Sequence, residues 1–266
     1  MDKVASPDAL TVGSIGVLAY ILGNVLHEAV GHGGACLLAG AKPVVLSSVH
    51  FECSVENRLV MAGGTLVNVL AGAVFFALGR LTGRRHPRLK YFFWIAVTVN
   101  LFSATGYFLF SGIGGIGDWA EFMQGLGSQW VWRIGLTVFG AASYILAAWI
   151  SLLELRPLIG SNKEQRYRSA VRLAWIPYFA GGILMCIAGA LNPVGMILIL
   201  VSAAASTFGG SSGLLWSPSL LRGTLIPCGL PAEPMLIERS WPLIAVTCAI
   251  ALAFVAVLGP SVRFAH

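Results

Sequence analysis

Long apolar runs that carry almost no charge constrain this chain more than any other feature. A bilayer crossing takes roughly 20 apolar helical residues. Seven stretches come near that length: Ala9–Leu38, Met61–Gly79, Tyr91–Phe110, Trp130–Leu153, Leu173–Ala190, Pro193–Phe208 and Trp241–Leu258. The sixth is short, and Asn192–Pro193 before it reads as a tight turn, so the fifth and sixth are expected to form a helical hairpin. Charged residues are 11% of the 266, against about 25% in an ordinary soluble domain. That is too little charge to cover a water-facing surface. A soluble enzyme, a disordered chain and a collagen-like chain are excluded. The runs are continuous rather than alternating, which argues against a β-barrel. The expected fold is an all-α polytopic membrane protein with six to seven transmembrane helices, forming one membrane domain.

The basic residues say how such a protein would sit. With the N-terminus in the cytosol, thirteen of the 17 Lys and Arg fall on the cytosolic side: Lys3, five from Arg80 to Lys90, five from Arg156 to Arg172, Arg222 and Arg239. Only Lys42, Arg58, Arg133 and Arg263 fall on the other. This bias predicts a cytosolic N-terminus for a multi-pass integral protein. It also accounts for the net charge of +6 without a nucleic-acid partner; the expected partner is the lipid bilayer. The N-terminus lacks a basic region ahead of a short apolar core and cleavage site, so no signal peptide is expected. The five cysteines show no C-x-x-C spacing, and most lie in apolar runs, where they read as small hydrophobes. Cys36–Cys53 is the best-placed pair for a disulfide, but none is expected.

Two segments break the helical pattern. In Ser48–Glu56, polar Ser48, His50, Glu52, Ser54 and Glu56 alternate with Val49, Phe51, Cys53 and Val55. That period of two predicts a strand, with Lys42–Leu46 as its partner and Glu56–Asn57–Arg58 as a turn. A short β-hairpin, residues 42–60, is therefore expected between the first two transmembrane helices. It must lie at the interface or in a protein-lined cavity, where its edge could accept an extended peptide. Residues 209–240, rich in Gly, Ser and Pro, read as a long, partly re-entrant loop.

The chemistry concentrates in Asn24-Val-Leu-His27-Glu28-Ala-Val-Gly31-His32-Gly-Gly-Ala35. Ionisable groups inside an apolar helix are costly and need partners. A Zn²⁺ ion would satisfy two histidines and leave a position for water, with the adjacent Glu28 as general base. On a regular α-helix His27 and His32, five residues apart, lie about 140° apart around the axis and do not converge. A π-bulge would bring them together, eased by Gly31. The alternatives are a regular helix with Asn24, Glu28 and His32 on one face, Glu28 and His32 serving as ligands, and a metal-free polar stripe between helices.

A third ligand is needed. Asp118 follows the glycine-rich run Ser111–Gly117, although Asp118-Trp-Ala-Glu121 also has the form of a helix N-cap. His50 and Glu52 are further donors, equally explained as a solvated strand face. Asn68, after Gly63 and Gly64, could bond a substrate backbone or serve as a packing amide. Asn100 carries the same ambiguity and is read as packing.

His27-Glu28 with Gly31-His32, a strand-like hairpin, Gly64-Thr-Leu-Val-Asn68 opening the next helix, and an Asp beside Gly after the third span together resemble the site-2 protease family of intramembrane zinc metalloproteases. That family has H-E-x-G-H, a downstream G-P-L-x-N segment and an Asp ligand within D-G. Here the first motif is one residue longer, Thr65 stands in place of Pro, and Trp119 in place of Gly. The resemblance implies His27, His32 and Asp118 as zinc ligands, Glu28 as general base and Asn68 in substrate contact. It implies hydrolysis of peptide bonds in a membrane protein or peptide substrate. It covers about residues 15–125. Residues 1–130 would then be a metalloprotease-like core of three transmembrane helices and the hairpin, with further transmembrane helices of unassigned role in 131–266. Two competing functions carry different expectations. A catalytically inactive relative would bind membrane partners without zinc geometry, and a transporter would line a pathway with Asn24, Glu28 and His32.

Overall fold

The computed structural model describes residues 6–193, 199–221, 231 and 233–264. The first long helix is α1 (Ala9–Val25), a π-helical turn (Leu26–His32) and α2 (Gly33–Leu38), which run on without a break. Strands β1 (Pro43–Leu46) and β2 (Phe51–Cys53) follow. Next come α3 (Arg58–Leu81), α4 (Pro87–Gly114), the short α5 (Asp118–Phe122), α6 (Gln129–Leu155) and α7 (Lys163–Ala190). A broken stretch, π-helical over Ile199–Gly209 and 3-10 over Gly210–Ser212, leads into α8 (Gly213–Leu220). The last elements are α9 (Trp241–Leu258) and β3 (Val262–Arg263).

Among the described residues, six helices are long and apolar enough to cross a membrane: 9–38, 58–81, 87–114, 129–158, 165–190 and 241–258. The expected span Pro193–Phe208 lies partly outside the described residues. Its described part belongs to the broken stretch. Asn192, at the end of the fifth long helix, donates to Ser261 Oγ at 3.1 Å, and Arg166, near the start of that helix, donates to the Leu221 carbonyl at 3.1 Å. Gly210–Leu220, expected as loop, is therefore helical. The remainder of that expected loop is only partly within the described residues. Helix α7 begins ten residues before the apolar run at Leu173, because its basic first turns carry no hydropathy signal.

Glycines set the closest helix crossings. A Cβ on Gly16 would lie 2.3 Å from Pro177 Cβ, and one on Gly72 would lie 2.7 Å from a Leu101 methyl. Tyr91, Phe102, Ile15, Ile95 and Leu173 are fully buried at the centre of the bundle. The outward faces are apolar too. Leu66, Leu70 and Val74 on α3, Ile134 and Val138 on α6, and Leu252 on α9 are all exposed.

The expected hairpin forms, but with shorter strands and a third neighbour. Pairing is antiparallel and the order is β2-β1-β3, with Leu46 opposite Phe51 on one side and Val262 on the other. Asn57 does not turn the strand; its side chain accepts from Val60 N–H at 3.0 Å and caps α3. Cys36 and Cys53 form a disulfide that ties α2 to β2. The expectation of no disulfide is corrected: the strand lies back along the helix and brings the two Cα atoms to 5.9 Å.

Candidate metal centre

The π-helical turn decides the site. Its wider repeat takes up the fifth residue between His27 and His32, so both rings point the same way, with centroids 4.8 Å apart. Gly31 makes room for it. A Cβ there would come within 2.5 Å of Gly64 Cα and 2.7 Å of the Gly63 carbonyl, so the first helix and α3 meet backbone to backbone. The regular-helix alternative, with Asn24, Glu28 and His32 on one face, does not form. Asn24 instead donates to the Ser48 carbonyl at 2.9 Å.

Asp118 reaches the same point from α5. The helix cap is Gly117 (φ 84°), a conformation that favours glycine, and this frees the Asp118 carboxylate to face the histidines. Three donor atoms form a nearly equilateral triangle: His27 Nε2 to His32 Nε2 is 3.2 Å, His27 Nε2 to Asp118 Oδ2 is 3.2 Å, and His32 Nε2 to Asp118 Oδ2 is 3.4 Å. Ligands bound at about 2.0–2.1 Å to a tetrahedral zinc lie about 3.3–3.4 Å apart. The triangle fits such an ion.

The protons agree with the distances. His32 Nδ1 donates to the Val60 carbonyl at 2.7 Å, and His27 Nδ1 pairs with Asn68 Oδ1 at 3.1 Å. With Nδ1 protonated, each neutral imidazole turns its Nε2 lone pair into the triangle. Three acceptors facing one another repel, and a cation between them removes the repulsion. His27, His32 and Asp118 are the one group of potential metal donors of this kind among the described residues.

Other groups close the site. A Cβ on Gly64 would lie 2.5 Å from His27 Nε2 and 2.6 Å from His32 Nε2, so only glycine leaves the space between these donor atoms open. Tyr107 stacks on His27, centroids 4.7 Å apart and 21° between planes, and Phe51 of β2 lies parallel to His32 at 6.4 Å. Trp119 Nε1 donates to Thr65 Oγ1 at 3.0 Å, pinning α5 to α3. A polar chamber of about 40 Å³ touches His27, Glu28, Asn68 and Tyr107 and also Asn24 and Ser48. Asn24 Oδ1 and Ser48 Oγ have no hydrogen-bond partner among the described residues. A chamber of this size and polarity has room for water.

His27, Glu28, His32, Asp118 and Asn68 thus come together, all but Asp118 buried. Asn68, expected in substrate contact, has its amide oxygen on His27. His50 and Glu52 do not join the site; they pair with each other at 3.1 Å on the exposed strand face. Asn100 donates to the Ala96 carbonyl of its own helix, as a packing amide does. Gly64 and Tyr107 were not anticipated as site residues. Comparison with protein-family models, characterised proteins and solved structures finds no match to this chain.

Proposed function

We propose that this chain is an integral membrane zinc metallopeptidase, akin to the site-2 proteases, that hydrolyses peptide bonds of membrane-embedded substrates. The carrying observation is the His27–His32–Asp118 triangle, whose edges and proton placement suit a tetrahedral ion. The apolar outward faces of the long helices support a bilayer as the surrounding medium, and the charge bias puts the N-terminus in the cytosol. The two positions that depart from the family pattern, Thr65 and Trp119, bond to each other, so the second difference accommodates the first. The residue that lengthens the first motif is absorbed in the π-turn, which supports the active reading over that of an inactive relative.

A zinc ion held by His27, His32 and Asp118 would acidify a water and polarise the scissile carbonyl. Glu28 lines the polar chamber beside His27. Its carboxylate takes a proton from the attacking water as the oxygen bonds to the carbonyl carbon. It then returns that proton to the amide nitrogen as the C–N bond breaks. Asn68 and the Val60 carbonyl hold the two imidazoles in the tautomer that ligates. Among the described residues, strand β2 has β1 on one side and no strand on the other. Its free edge, carrying Phe51 beside His32, can pair with an unwound substrate strand.

The test is hydrolysis of a membrane-embedded peptide by purified, zinc-loaded protein. Glu28→Gln is expected to keep its zinc and lose about 10²- to 10⁴-fold in rate. Equal rates in wild type and Glu28→Gln would overturn the assignment.

A further inference from the structure

We propose that the metal centre is served from the non-cytosolic, oxidising side of the membrane, and that its substrates are polypeptides whose scissile bond lies at that face. The substrate class rests on the peptidase function proposed above; the sidedness does not.

The first observation is the Cys36–Cys53 disulfide. Cys36 lies one helical turn beyond His32, and Cys53 lies two residues beyond Phe51, which faces the His32 ring. Protein disulfides persist in oxidising compartments and are kept reduced in the cytosol. A disulfide this close to the ligands fixes the compartment of the site itself.

The second observation is independent of cysteine. The metal end of the molecule gathers the C-terminal end of α2, the sheet, the start of α3, the end of α4 and α5. Its basic groups are Lys42, Arg58, Arg133 and Arg263. Two of these are consumed as clamps: Arg58 donates to the Phe122 and Gln124 carbonyls, and Arg133 to those of Gly112 and Ile113. The opposite end is dense in arginine and closed by it. Arg84 donates to the Pro157 and Glu233 carbonyls, Arg88 to those of Glu238 and Arg239, and Arg172 to Ser6 Oγ. The positive-inside rule assigns this second end to the cytosol. The chain's course agrees. Ser48 N–H donates to the Leu258 carbonyl at 2.8 Å, so α9 ends at the metal face and its strand β3 joins the sheet there.

Two measurements in intact cells read the sidedness. In the first, thiols are blocked, and the chain is then denatured, reduced and labelled with a polyethylene-glycol maleimide. Two cysteines are expected to label only after reduction, and Cys36→Ser should abolish both. In the second, Glu56→Cys and Arg85→Cys, both at exposed positions, are placed singly in a chain with Cys186, Cys228 and Cys248 changed to Ser. A membrane-impermeant maleimide is expected to label Glu56→Cys on intact cells and Arg85→Cys only after permeabilisation. The opposite labelling, or Cys36 and Cys53 both reduced in cells, would overturn the proposal.

Two single-span reporters then read the substrate class, one with a helix-breaking segment near the cytosolic face and one near the other. Cleavage of the second alone is expected. Cleavage of the first alone overturns the substrate class. Cleavage of neither, with Glu56→Cys labelled from outside, overturns the peptidase function and the substrate class with it, and the sidedness stands.

Discussion

Gly64 is the residue on which the site's geometry depends most and which the sequence marks least. Any side chain there would have its Cβ about where an ion held by the triangle would sit, within 2.6 Å of both Nε2 atoms. Gly64→Ala is therefore expected to fall below one tenth of an equivalent of bound metal while circular dichroism keeps the wild-type helical signal. Asn68→Leu acts more gently, since it removes the acceptor from His27 Nδ1. Metal affinity should drop about 10- to 100-fold, as for other groups that orient a ligand, and competition with a chelator of known affinity reads it. His27, Glu28 and His32 were legible because a charged or imidazole group inside an apolar run has no cheap structural explanation; Asp118 was legible only as a third donor after a glycine-rich run, with a helix cap as its rival reading. Gly64 and Tyr107 were not. A glycine's meaning depends on what approaches it from another helix, and an aromatic on an apolar helix looks the same whether it packs or stacks on a ligand.

At the scale of elements, the π-turn and its crossing with α3 form one unit. Gly31→Ala puts a methyl against the Gly63–Gly64 backbone, where neither helix can yield without moving His27 and His32. Overpacking of this kind costs about 1–3 kcal/mol, so a lower melting temperature and weakened metal binding should appear together. A second element-scale prediction concerns the start of α1. Asp8 accepts from Thr11 N–H at 3.0 Å and pairs with Arg239 at 2.9 Å. Partial burial tends to raise its pKa, but the Thr11 and Arg239 contacts outweigh this and lower it. A lowered carboxylate pKa means that the cap's contribution is present above the ordinary Asp pKa and is lost as pH falls through the depressed value. Asp8→Ala should cost about 1 kcal/mol at neutral pH and nothing further in strong acid, as thermal melts across that range would read. The hairpin was half legible, since alternation located it. Strand β3 was not, because two residues pairing with a partner more than two hundred positions away leave no local pattern. The π-turn was open from sequence because spacing alone does not say whether a helix widens or the histidines diverge.

For the whole molecule, apolar run length located the long helices well and their polar ends poorly, as the basic start of α7 shows. Helix α9 is almost entirely apolar, and little of its length is covered by the rest of the chain. It is therefore the element whose stability should depend most on the medium: in detergent, hydrogen exchange is expected to be faster along α9 than along α4. The donor triangle joins the first long helix to α5, which follows the third, so a bound ion would act as a cross-link within the N-terminal half. The most direct measurement is the metal content of detergent-purified protein, prepared without chelator and supplied with zinc, beside His32→Ala and Asp118→Ala. About one zinc per chain in wild type and almost none in either variant is the result expected of a three-donor tetrahedral site. A metal-free wild type would contradict it, as would zinc retained in full by both variants.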